Sequence, residues 1–404
     1  MDGWDAERII ATFELEPPGS ARALAVEEST GSEAVGPALA ALVAGEVLSE
    51  GDGRAVIAWP WRDWGANLPQ LMASIVAGEG CETARFTRCR LVEIEWPPAF
   101  VAALGGGPRF GIDGVRRLLG PDAARRPLLG GIIKPSLGLT PAECAATAAA
   151  LVLGGCDFVK DDELMADPEW CPFSARVPAV AQVLVATGRP CLYAANVSGP
   201  LESLLDRAAA AVAAGARVVM VNAFAQGIDA VRALAAAGLG APVFAHRVGS
   251  GPLMRNRDIG AAGSVLCELT RVAGADFVQI GGFGGKLFDT VEEVVANLAA
   301  CRRVIRSGPA GRVAEPVPVN GGGVWAGSVP DVLAAAGCDV MLLVGAGAYE
   351  HPFGPEAGAR SIRQAIDAAV AGTELGQAAA DAPDLAAALD WHHGGHPRAP
   401  GFGA

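Results

Sequence analysis

Residues 154–163 read Gly-Gly-Cys-Asp-Phe-Val-Lys-Asp-Asp-Glu, a segment that places one lysine directly before three carboxylates. Phe158 and Val159 close an apolar run and are typical of the last buried positions of a strand. The charged residues at the carboxyl end of that strand are Lys160, Asp161, Asp162 and Glu163. Parallel α/β folds place their functional residues at this end of the strands, so the segment predicts both a strand and a candidate site.

The alternation of side chains along a strand decides which of these charges meet. Lys160 and Asp162 point to the same side, and Glu163 joins them where the strand loosens into a loop. Two carboxylates suit a hard cation such as Mg²⁺. An ammonium beside them would compete with the metal unless it lost its charge or was modified. The alternative is a solvated charge run after a core strand, because clustered charge marks a functional site in only some proteins.

Short apolar runs alternate with Ala-rich helical segments through the rest of the chain. The predicted strands are 130–134, 157–160, 190–196, 217–222, 242–246, 276–281, 317–320 and 340–345. The predicted helices between and after them include 141–153, 201–214, 227–237, 259–273, 291–305, 329–336 and 357–371. Eight strand-and-helix repeats over about 240 residues predict a (β/α)₈ TIM barrel. An open doubly wound sheet is the alternative, but no Gly-x-Gly-x-x-Gly fingerprint opens its first turn.

In the first 105 residues, the predicted strands and helices do not alternate regularly. The predicted strands there are 9–16, 55–61 and 86–96, and the predicted helices are 21–28, 37–48 and 68–77. This mixture predicts a small, ferredoxin-like α+β domain over residues 1–105. The barrel domain and a C-terminal tail would then occupy residues 106–404.

Composition excludes several classes of protein. The chain has 404 residues, 51% of them hydrophobic, yet no apolar run reaches the roughly 20 residues of a membrane span. A net charge of −13 disfavours nucleic acid as a partner, because a phosphate backbone requires a basic surface. Nine scattered cysteines without a Cys-x-x-Cys pair indicate reduced thiols. The first residues lack a secretory signal pattern, so we expect a cytoplasmic protein.

Polar or glycine residues end all eight predicted strands. They are Lys134, the 160–163 segment, Asn196, Asn222, His246 with Arg247, Gln279, Asn320 and Gly345-Ala346-Gly347. Packing alone hardly requires such a set, so we treat its members as candidate site residues. Glycine-rich loops after the seventh and eighth strands of barrels often cradle phosphate with backbone N–H groups. Gly321, Gly322, Gly345 and Ala346 are therefore candidate phosphate contacts, although tight turns would also explain the glycines.

Four stretches resemble the large subunit of ribulose-bisphosphate carboxylase (RuBisCO). They are residues 27–31 (Glu-Glu-Ser-Thr-Gly), 131–139 (Gly-Ile-Ile-Lys-Pro-Ser-Leu-Gly-Leu), 154–163 and 284–287 (Gly-Gly-Lys-Leu). The resemblance covers nearly the whole chain. It implies that CO₂ carbamylates Lys160, which then binds Mg²⁺ together with Asp162 and Glu163, while Asp161 supports the loop.

The resemblance also implies roles in catalysis and substrate binding. Lys134 would move protons near an enolate, Lys286 on a mobile loop would hold a carboxylate, and His246 would complete the catalytic set. The implied substrate contacts are Glu27, Arg247 facing a phosphate, Gln279, Asn320 and the four glycine-loop residues named above. In the family, the residue matching Glu27 reaches the metal site of a neighbouring subunit. The resemblance therefore implies at least a homodimer.

Departures from the family pattern bear on the reaction. Ser136 replaces the second lysine of a Lys-Pro-Lys motif, Gln279 stands in place of a histidine, and Asn320 in place of a serine. The stretch 74–78 also lacks an asparagine that contacts substrate in true carboxylases. These departures argue against carboxylation of ribulose bisphosphate. The chain is similar instead to the RuBisCO-like proteins of the form IV branch, which implies enolate chemistry on another substrate.

Two cations guide the choice among these reactions. Lys286 suits a departing carboxylate, and Arg247 suits a second anionic or polar substrate end. They favour decarboxylation or transcarboxylation of 3-oxo-isoapionate 4-phosphate. The alternatives are an enolase or isomerase of methionine salvage acting on a methylthio-pentulose phosphate, and a non-catalytic binding protein that kept its metal and phosphate contacts. We expect a phosphorylated small molecule and further copies of this chain as partners, without a small subunit.

Overall fold

The computed structural model describes residues 8–123 and 126–393, except the side chains of residues 392 and 393. Its strands in chain order are β1 (Arg8–Glu16), β2 (Glu46–Gly51), β3 (Arg54–Pro60), β4 (Arg88–Glu95), β5 (Leu128–Ile132), β6 (Phe158–Lys160), β7 (Leu192–Asn196), β8 (Val218–Asn222), β9 (Val243–His246), β10 (Ile259–Ala261), β11 (Phe277–Gly281), β12 (Arg306–Ser307), β13 (Gly311–Arg312), β14 (Val317–Gly321) and β15 (Met341–Val344).

Helices make up much of the rest of the described chain. In the first part of the chain they are Ala21–Glu27, Pro37–Val43, Leu68–Leu71, Glu79–Glu82 and Pro98–Leu104, with a π-helix at Met72–Val76 and a 3₁₀ turn at Trp61–Asp63. Later helices are Gly111–Leu119, Pro141–Leu153, Phe173–Ala186, Leu204–Ala213, Ala223–Gln226, Asp229–Ala236, Gly251–Met254, Gly263–Val272, Val291–Arg302, Val329–Ala336, Ala346–Tyr349, Pro355–Ala371, Leu375–Ala379 and Pro383–His393, with 3₁₀ turns at Pro121–Ala123, Leu201–Ser203 and Ala326–Ser328.

The N-terminal sheet has the strand order β10-β4-β1-β3-β2. Its central strand β1 buries every second residue, from Ile9 to Leu15, which is the alternation expected of a sheet with one covered face. β1 pairs antiparallel with β3 and β4. This arrangement confirms the predicted ferredoxin-like α+β fold.

Two predicted helices are wrong in part. The pattern at 37–48 predicted one helix, but the helix ends at Val43 and β2 begins at Glu46. β2 is an edge strand that leaves most of its side chains exposed, so it lacks the alternation that reveals a strand. The Asp52-Gly53 turn that joins it to β3 has positive φ at both residues, as hairpin turns with this sequence commonly do.

The predicted helix at 259–273 also begins with a strand. Residues Ile259–Ala261 form β10, which pairs parallel with β4 of the N-terminal sheet. This pairing joins residues that are some 170 positions apart, as in the ion pair of Arg88 with Asp258. A contact at that separation leaves no local sequence pattern. The predicted domain division after residue 105 stays a prediction.

Eight parallel strands close into a barrel in the order β5-β6-β7-β8-β9-β11-β14-β15. All eight predicted strands are confirmed to within a few residues. The barrel interior is filled by apolar side chains, among them Phe158, Phe244 and Phe277, whose ring centroids lie 5.1–5.6 Å apart. Because side chains fill the interior, only the carboxyl ends of the strands are left to form a site.

Within residues 8–123 and 126–393, no helix is long and apolar enough to cross a membrane.

Candidate active site

The carboxylates predicted as metal ligands each contact a lysine. Lys160 Nζ donates to Glu163 Oε2 at 3.0 Å and to the carbonyl oxygen of Asp161 at 2.8 Å. Lys134 Nζ, from the end of the first barrel strand, donates to Asp162 Oδ2 at 2.5 Å. Lys160 and Asp162 are completely buried. The barrel thus brings together four residues that the sequence predicted as a site.

Asp161 points the other way, beneath the strand end. Its carboxylate accepts hydrogen bonds from Tyr193 Oη at 2.8 Å, from the Asn196 N–H at 3.0 Å, and from Arg176 at 3.2 and 3.3 Å. Asp161 and Arg176 are both completely buried. Asp161 is therefore saturated by protein partners and anchors the segment that carries its neighbours.

His246 contacts the same carboxylate as Lys160. Its Nε2 lies 3.3 Å from Glu163 Oε2, while its Nδ1 accepts the backbone N–H of Val248 at 3.2 Å. Burial and the nearby Lys160 lower the pKa of His246 to about 3, so the ring is neutral at pH 7 and its Nε2 carries the proton. Burial alone would raise the pKa of Glu163, but Lys160 outweighs it and lowers that pKa to about 2.

Two asparagines at strand ends hold the backbone of the carboxylate segment. Asn196 Nδ2 donates to the carbonyl oxygens of Asp162 and Glu163 at 3.3 and 3.2 Å, and Asn222 Nδ2 donates to that of Glu163 at 2.9 Å. The sequence placed both asparagines at the barrel mouth but did not reveal this role. Because these bonds tie the loop to β7 and β8, the side chains of Asp162 and Glu163 are held in fixed orientations.

A cavity of about 1200 Å³ opens above these residues. The predicted site residues that line it are Lys134, Glu163, His246, Arg247, Gln279, Lys286, Gly321, Gly322, Gly345 and Ala346. The helices at 375–379 and 383–393 also contribute lining residues, Leu375 and Leu389. A phosphorylated sugar would fit easily in this volume, since small-molecule sites typically measure about 300–1,000 Å³.

One end of the cavity is built from glycine backbone. A Cβ atom at Gly284 would lie 2.6 Å from the carbonyl oxygen of Gly323, so the loop after β11 packs directly against the loop after β14. Lys286 lies on that loop and is exposed at the cavity. At this glycine end of the cavity, the backbones of two loops therefore lie in direct contact, and Lys286 lies nearby.

Arg247 and Gln279 also line the cavity. Gln279 Oε1 accepts the backbone N–H of Arg247 at 2.8 Å. The Arg247 guanidinium forms two bonds to the buried carboxylate of Asp289, at 3.0 and 2.6 Å. A phosphate facing Arg247, as the resemblance implied, would meet a cation that already has a partner.

Two predicted contacts lie away from the cavity surface. Asn320 is completely buried, and its Oδ1 accepts the Phe283 N–H at 3.0 Å, while its Nδ2 has no hydrogen-bond partner in the described part of the chain. Glu27 lies in the N-terminal domain, 3.4 Å from Arg85, and does not line the cavity of its own chain. In the single chain, neither side chain lines the cavity.

Sequence reasoning missed Tyr349. Its hydroxyl donates to the Ile132 carbonyl at 2.7 Å and accepts the Lys134 N–H at 3.0 Å. Lys134 Nζ also donates to Ser136 Oγ at 2.9 Å, so the residue that departs from the family motif helps to hold the lysine. The rarity of tyrosine could have drawn attention to Tyr349. The chain has only two tyrosines, and the other, Tyr193, binds Asp161.

The donor set fits a hard cation only if Lys160 is modified. Among the described side chains, no three His, Cys, Asp or Glu residues converge as metal ligands. Asp162 and Glu163 supply two carboxylates, of which Glu163 contacts Lys160 and Asp162 contacts Lys134. A carbamate on Lys160 would replace an ammonium with an oxygen donor, giving three oxygen ligands of the kind that Mg²⁺ prefers.

The fold and the site together define a (β/α)₈-barrel enzyme whose lysines and carboxylates meet at the strand ends. Residues 111–392 match the family model of the ribulose bisphosphate carboxylase large chain, catalytic domain. The chain belongs to this family, in its form IV branch of RuBisCO-like proteins.

Curated relatives cover most of the chain. It is 37% identical to ribulose bisphosphate carboxylase-like protein 2 of Rhodopseudomonas palustris, over 83% of this chain and 77% of that protein. It is 34% identical to the 3-oxo-isoapionate-4-phosphate transcarboxylase/hydrolase of Xanthobacter autotrophicus, over 95% and 99%. It is 36% identical to the 3-oxo-isoapionate-4-phosphate decarboxylase of Rhizobium etli, over 82% and 79%.

Solved structures agree with the family. A rubisco-like protein (MtnW) from Alicyclobacillus acidocaldarius superimposes with a TM-score of 0.82 at 30% identity, over 96% of this chain and 99% of that one. A dimeric archaeal RuBisCO from Hyperthermus butylicus superimposes with a TM-score of 0.85 at 29% identity, over 96% of both chains.

Proposed function

We propose that this protein is a Mg²⁺-dependent carbon–carbon lyase that removes or transfers the carboxyl group of 3-oxo-isoapionate 4-phosphate. The observation that carries the proposal is the position of Lys286. It is an exposed cation at the cavity that holds Lys134 and Glu163, and it forms no ion pair within residues 8–123 and 126–393. A lysine in that state can hold a carboxylate, which a methylthio-pentulose phosphate does not carry.

The relatives support the choice of substrate. The transcarboxylase/hydrolase of Xanthobacter autotrophicus aligns with nearly all of this chain, and the decarboxylase of Rhizobium etli shares the same named substrate. That substrate is a β-keto acid with one phosphate. When its carboxyl group leaves, the electrons of the broken carbon–carbon bond pass to the keto oxygen and form an enolate, which must then be protonated on carbon.

The residues at the cavity have the properties that this reaction needs. Mg²⁺, when bound by carbamylated Lys160, Asp162 and Glu163, would stabilise negative charge on the keto oxygen. Lys286 would orient the departing carboxylate. Lys134, which lines the cavity with its ammonium anchored to Asp162 and Ser136, would supply the proton to carbon.

His246 has a positioning role in this proposal. Its neutral ring carries a proton on Nε2 and accepts the Val248 N–H at Nδ1. It can therefore donate to Glu163 and hold that carboxylate in a fixed orientation. The glycine-rich loops at 321–323 and 345–347 would bind the single phosphate of the substrate through their backbone N–H groups.

A second candidate is an enolase or isomerase of methionine salvage that acts on a methylthio-pentulose phosphate. The pairing of Arg247 with Asp289 favours it, since a compensated arginine does not demand an anionic group at that end of the substrate. The likeness to the rubisco-like protein (MtnW) is also close. Lys286 has no evident use in proton transfer alone, so we rank this function second.

Turnover assays separate the two candidates. Purified protein would be incubated with Mg²⁺, bicarbonate and each phosphorylated substrate in turn, with a matched sample in excess chelator. We expect CO₂ release or carboxyl transfer from the keto acid, lost on chelation. Product from the methylthio-pentulose phosphate, with none from the keto acid, would contradict the proposal.

We infer that the working unit is a homo-oligomer, at least a dimer. Glu27 does not line the cavity of its own chain, so any contact with substrate requires a neighbouring copy. The family includes a dimeric RuBisCO of similar structure. Light scattering coupled to size exclusion would give the mass, and a monomer with full activity would exclude a role for Glu27 in trans.

A further inference from the structure

Arg247 lines the part of the cavity that we call the arginine end, and Asp289 compensates its charge. Nη1 and Nη2 of Arg247 lie 3.0 and 2.6 Å from the two carboxylate oxygens of Asp289. The Asp289 side chain is 1% exposed and that of Arg247 is 15% exposed. A parallel two-bond pair of this kind is among the strongest side-chain contacts, so the guanidinium is not available as an uncompensated cation.

The pair is held in place from several sides. Gly281 leaves room for it, since a Cβ there would lie 3.0 Å from Asp289 Cγ and 3.3 Å from Arg247 Nη1. Gln279 binds the backbone N–H of Arg247, and the Phe288 ring lies 5.7 Å from the guanidinium carbon. The Arg247 side chain therefore cannot swing to a new partner without losing its contacts with Asp289 and Phe288.

The two ends of the cavity consequently differ in charge. The glycine end offers backbone N–H groups and Lys286, an exposed ammonium with no carboxylate partner in the described part of the chain. The arginine end offers a neutral ion pair, the Gln279 amide and Ser250. An anion is favoured at the first end. At the second, the buried carboxylate would repel a phosphate dianion, whereas a hydroxyl could still bond to the pair.

We propose that Asp289 is a specificity-determining residue, which closes the arginine end of the cavity to a phosphate and adapts it to an uncharged hydroxyl-bearing end. The substrate class is then a sugar derivative with one phosphate, bound at the glycine end. This inference rests on the proposed function, because it concerns the same cavity and a phosphorylated substrate. It adds a residue, remote in sequence from the metal site, that selects among phosphorylated sugars.

Binding of matched probes tests the role of Asp289 without any turnover. The probes are ribulose 5-phosphate and ribulose 1,5-bisphosphate, titrated by calorimetry into the full-length protein with Mg²⁺ and bicarbonate. The wild-type protein is expected to bind the bisphosphate no tighter than the monophosphate. Asp289→Asn removes the compensating charge and frees Arg247, so it should shift the ratio by about tenfold or more toward the bisphosphate.

Asp229→Asn is the matched control. Asp229 also forms a two-bond pair with an arginine, Arg232, which is about one-third exposed and lies on a helix outside the cavity. This variant makes the same change in net charge and should leave the ratio of the two affinities unchanged. Circular dichroism and thermal unfolding would confirm that both variants fold.

Two results would overturn the inference. One is a wild-type protein that already binds the bisphosphate about tenfold tighter than the monophosphate, a measurement that needs no folded variant. The other is an Asp289→Asn protein that folds but keeps the wild-type ratio. The two proposals can fail separately. If the protein turns over neither candidate substrate but Asp289→Asn changes the ratio of the two affinities, the proposed reaction is wrong and the role of Asp289 stands.

Discussion

The two sides of the 160–163 segment carry the same kind of charge but differ in their partners. Beneath the strand end, Asp161 binds Arg176, Tyr193 and the Asn196 N–H. On the cavity side, Asp162 and Glu163 bind lysines and a neutral histidine. Arginine stays charged in proteins, whereas lysine can lose its proton or be modified. The partner's chemistry, more than burial, separates an anchoring carboxylate from a reactive one.

Asp161→Ala is the change that should cost the most stability. It leaves the completely buried Arg176 guanidinium without its carboxylate, and breaking a buried ion pair in this way costs roughly 3–5 kcal/mol. Urea-induced unfolding would measure the loss. Asp229→Ala is the control, because its pair with Arg232 is about one-third exposed and should be worth less than about 1 kcal/mol. Equal losses in the two variants would refute the anchoring role.

Lys160→Ala should act on turnover and leave the fold intact. If Lys160 carries the carbamate, its removal deletes a metal ligand, and the Mg²⁺-dependent rate should fall by more than about a hundredfold. Circular dichroism should stay native-like, because Glu163 keeps its contact with His246. Undiminished activity would show that the carbamate assignment is wrong.

The small number of lysines makes a carbamate on Lys160 easy to detect by NMR. Only three lysines occur among its 31 basic residues, and they are Lys134, Lys160 and Lys286. After incubation with ¹³C-bicarbonate, a carbamate resonance in the ¹³C spectrum is therefore easy to assign. We expect the resonance in the wild-type protein and in Lys286→Ala, and its absence in Lys160→Ala.

Much of the barrel could be predicted from sequence because its strands are short, mostly apolar runs that end in polar or glycine residues. Phe158 and Val159 show this, since their burial follows from local composition alone. β2 could not be predicted, because an exposed edge strand has no apolar face to reveal it. β10 could not be predicted either, since only its pairing with β4 makes it a strand.

The site divides in the same way. Lysines and carboxylates at predicted strand ends could be found because the barrel fixes where those ends meet. Arg247 could be found too, but not its pairing with Asp289, which lies 42 residues further along the chain. Tyr349 lies 215 residues from the N–H that it accepts. Residue type predicts what a side chain can do, while its partner decides what it does.

Glu28 extends the comparison to a buried carboxylate that pairs with no arginine or lysine among residues 8–123 and 126–393. Its Oε1 accepts the Gly80 N–H at 2.7 Å, and the other charges near it are the carboxylates Glu27 and Glu79. Burial raises the pKa of Glu28 from 4.5 to about 7. The folded state holds this proton more tightly than the unfolded state. Its contribution to stability is thus fully present below pH 4.5 and is lost as pH rises through about 7.

Unfolding experiments between pH 5 and pH 8 would show this loss. The free energy of unfolding should fall with pH by no more than about 3 kcal/mol through this group. Glu28→Gln should flatten that slope, whereas Glu95→Gln, at an exposed position of β4, should not. A wild-type slope that survives in Glu28→Gln would assign the effect to another group.

The two tyrosines of the chain allow the smallest and most direct test, because each lies on one side of the segment. Tyr349→Phe removes the hydroxyl that bonds to the Ile132 carbonyl and the Lys134 N–H. Losing such a bond costs about 1 kcal/mol. Since Lys134 is thereby less firmly held, we expect turnover to fall by less than about tenfold, with little change in the free energy of unfolding beyond that cost.

Tyr193→Phe is the matched control on the anchoring side, where the hydroxyl donates to Asp161 at 2.8 Å. It should lower the free energy of unfolding by about 1–3 kcal/mol, because a buried carboxylate loses a donor. The Michaelis constant and the turnover number should stay close to wild type, since Asp161 has no contact with the cavity. If both tyrosine variants lost turnover equally, the two sides would act as one unit, and the partner of each carboxylate would no longer separate their roles.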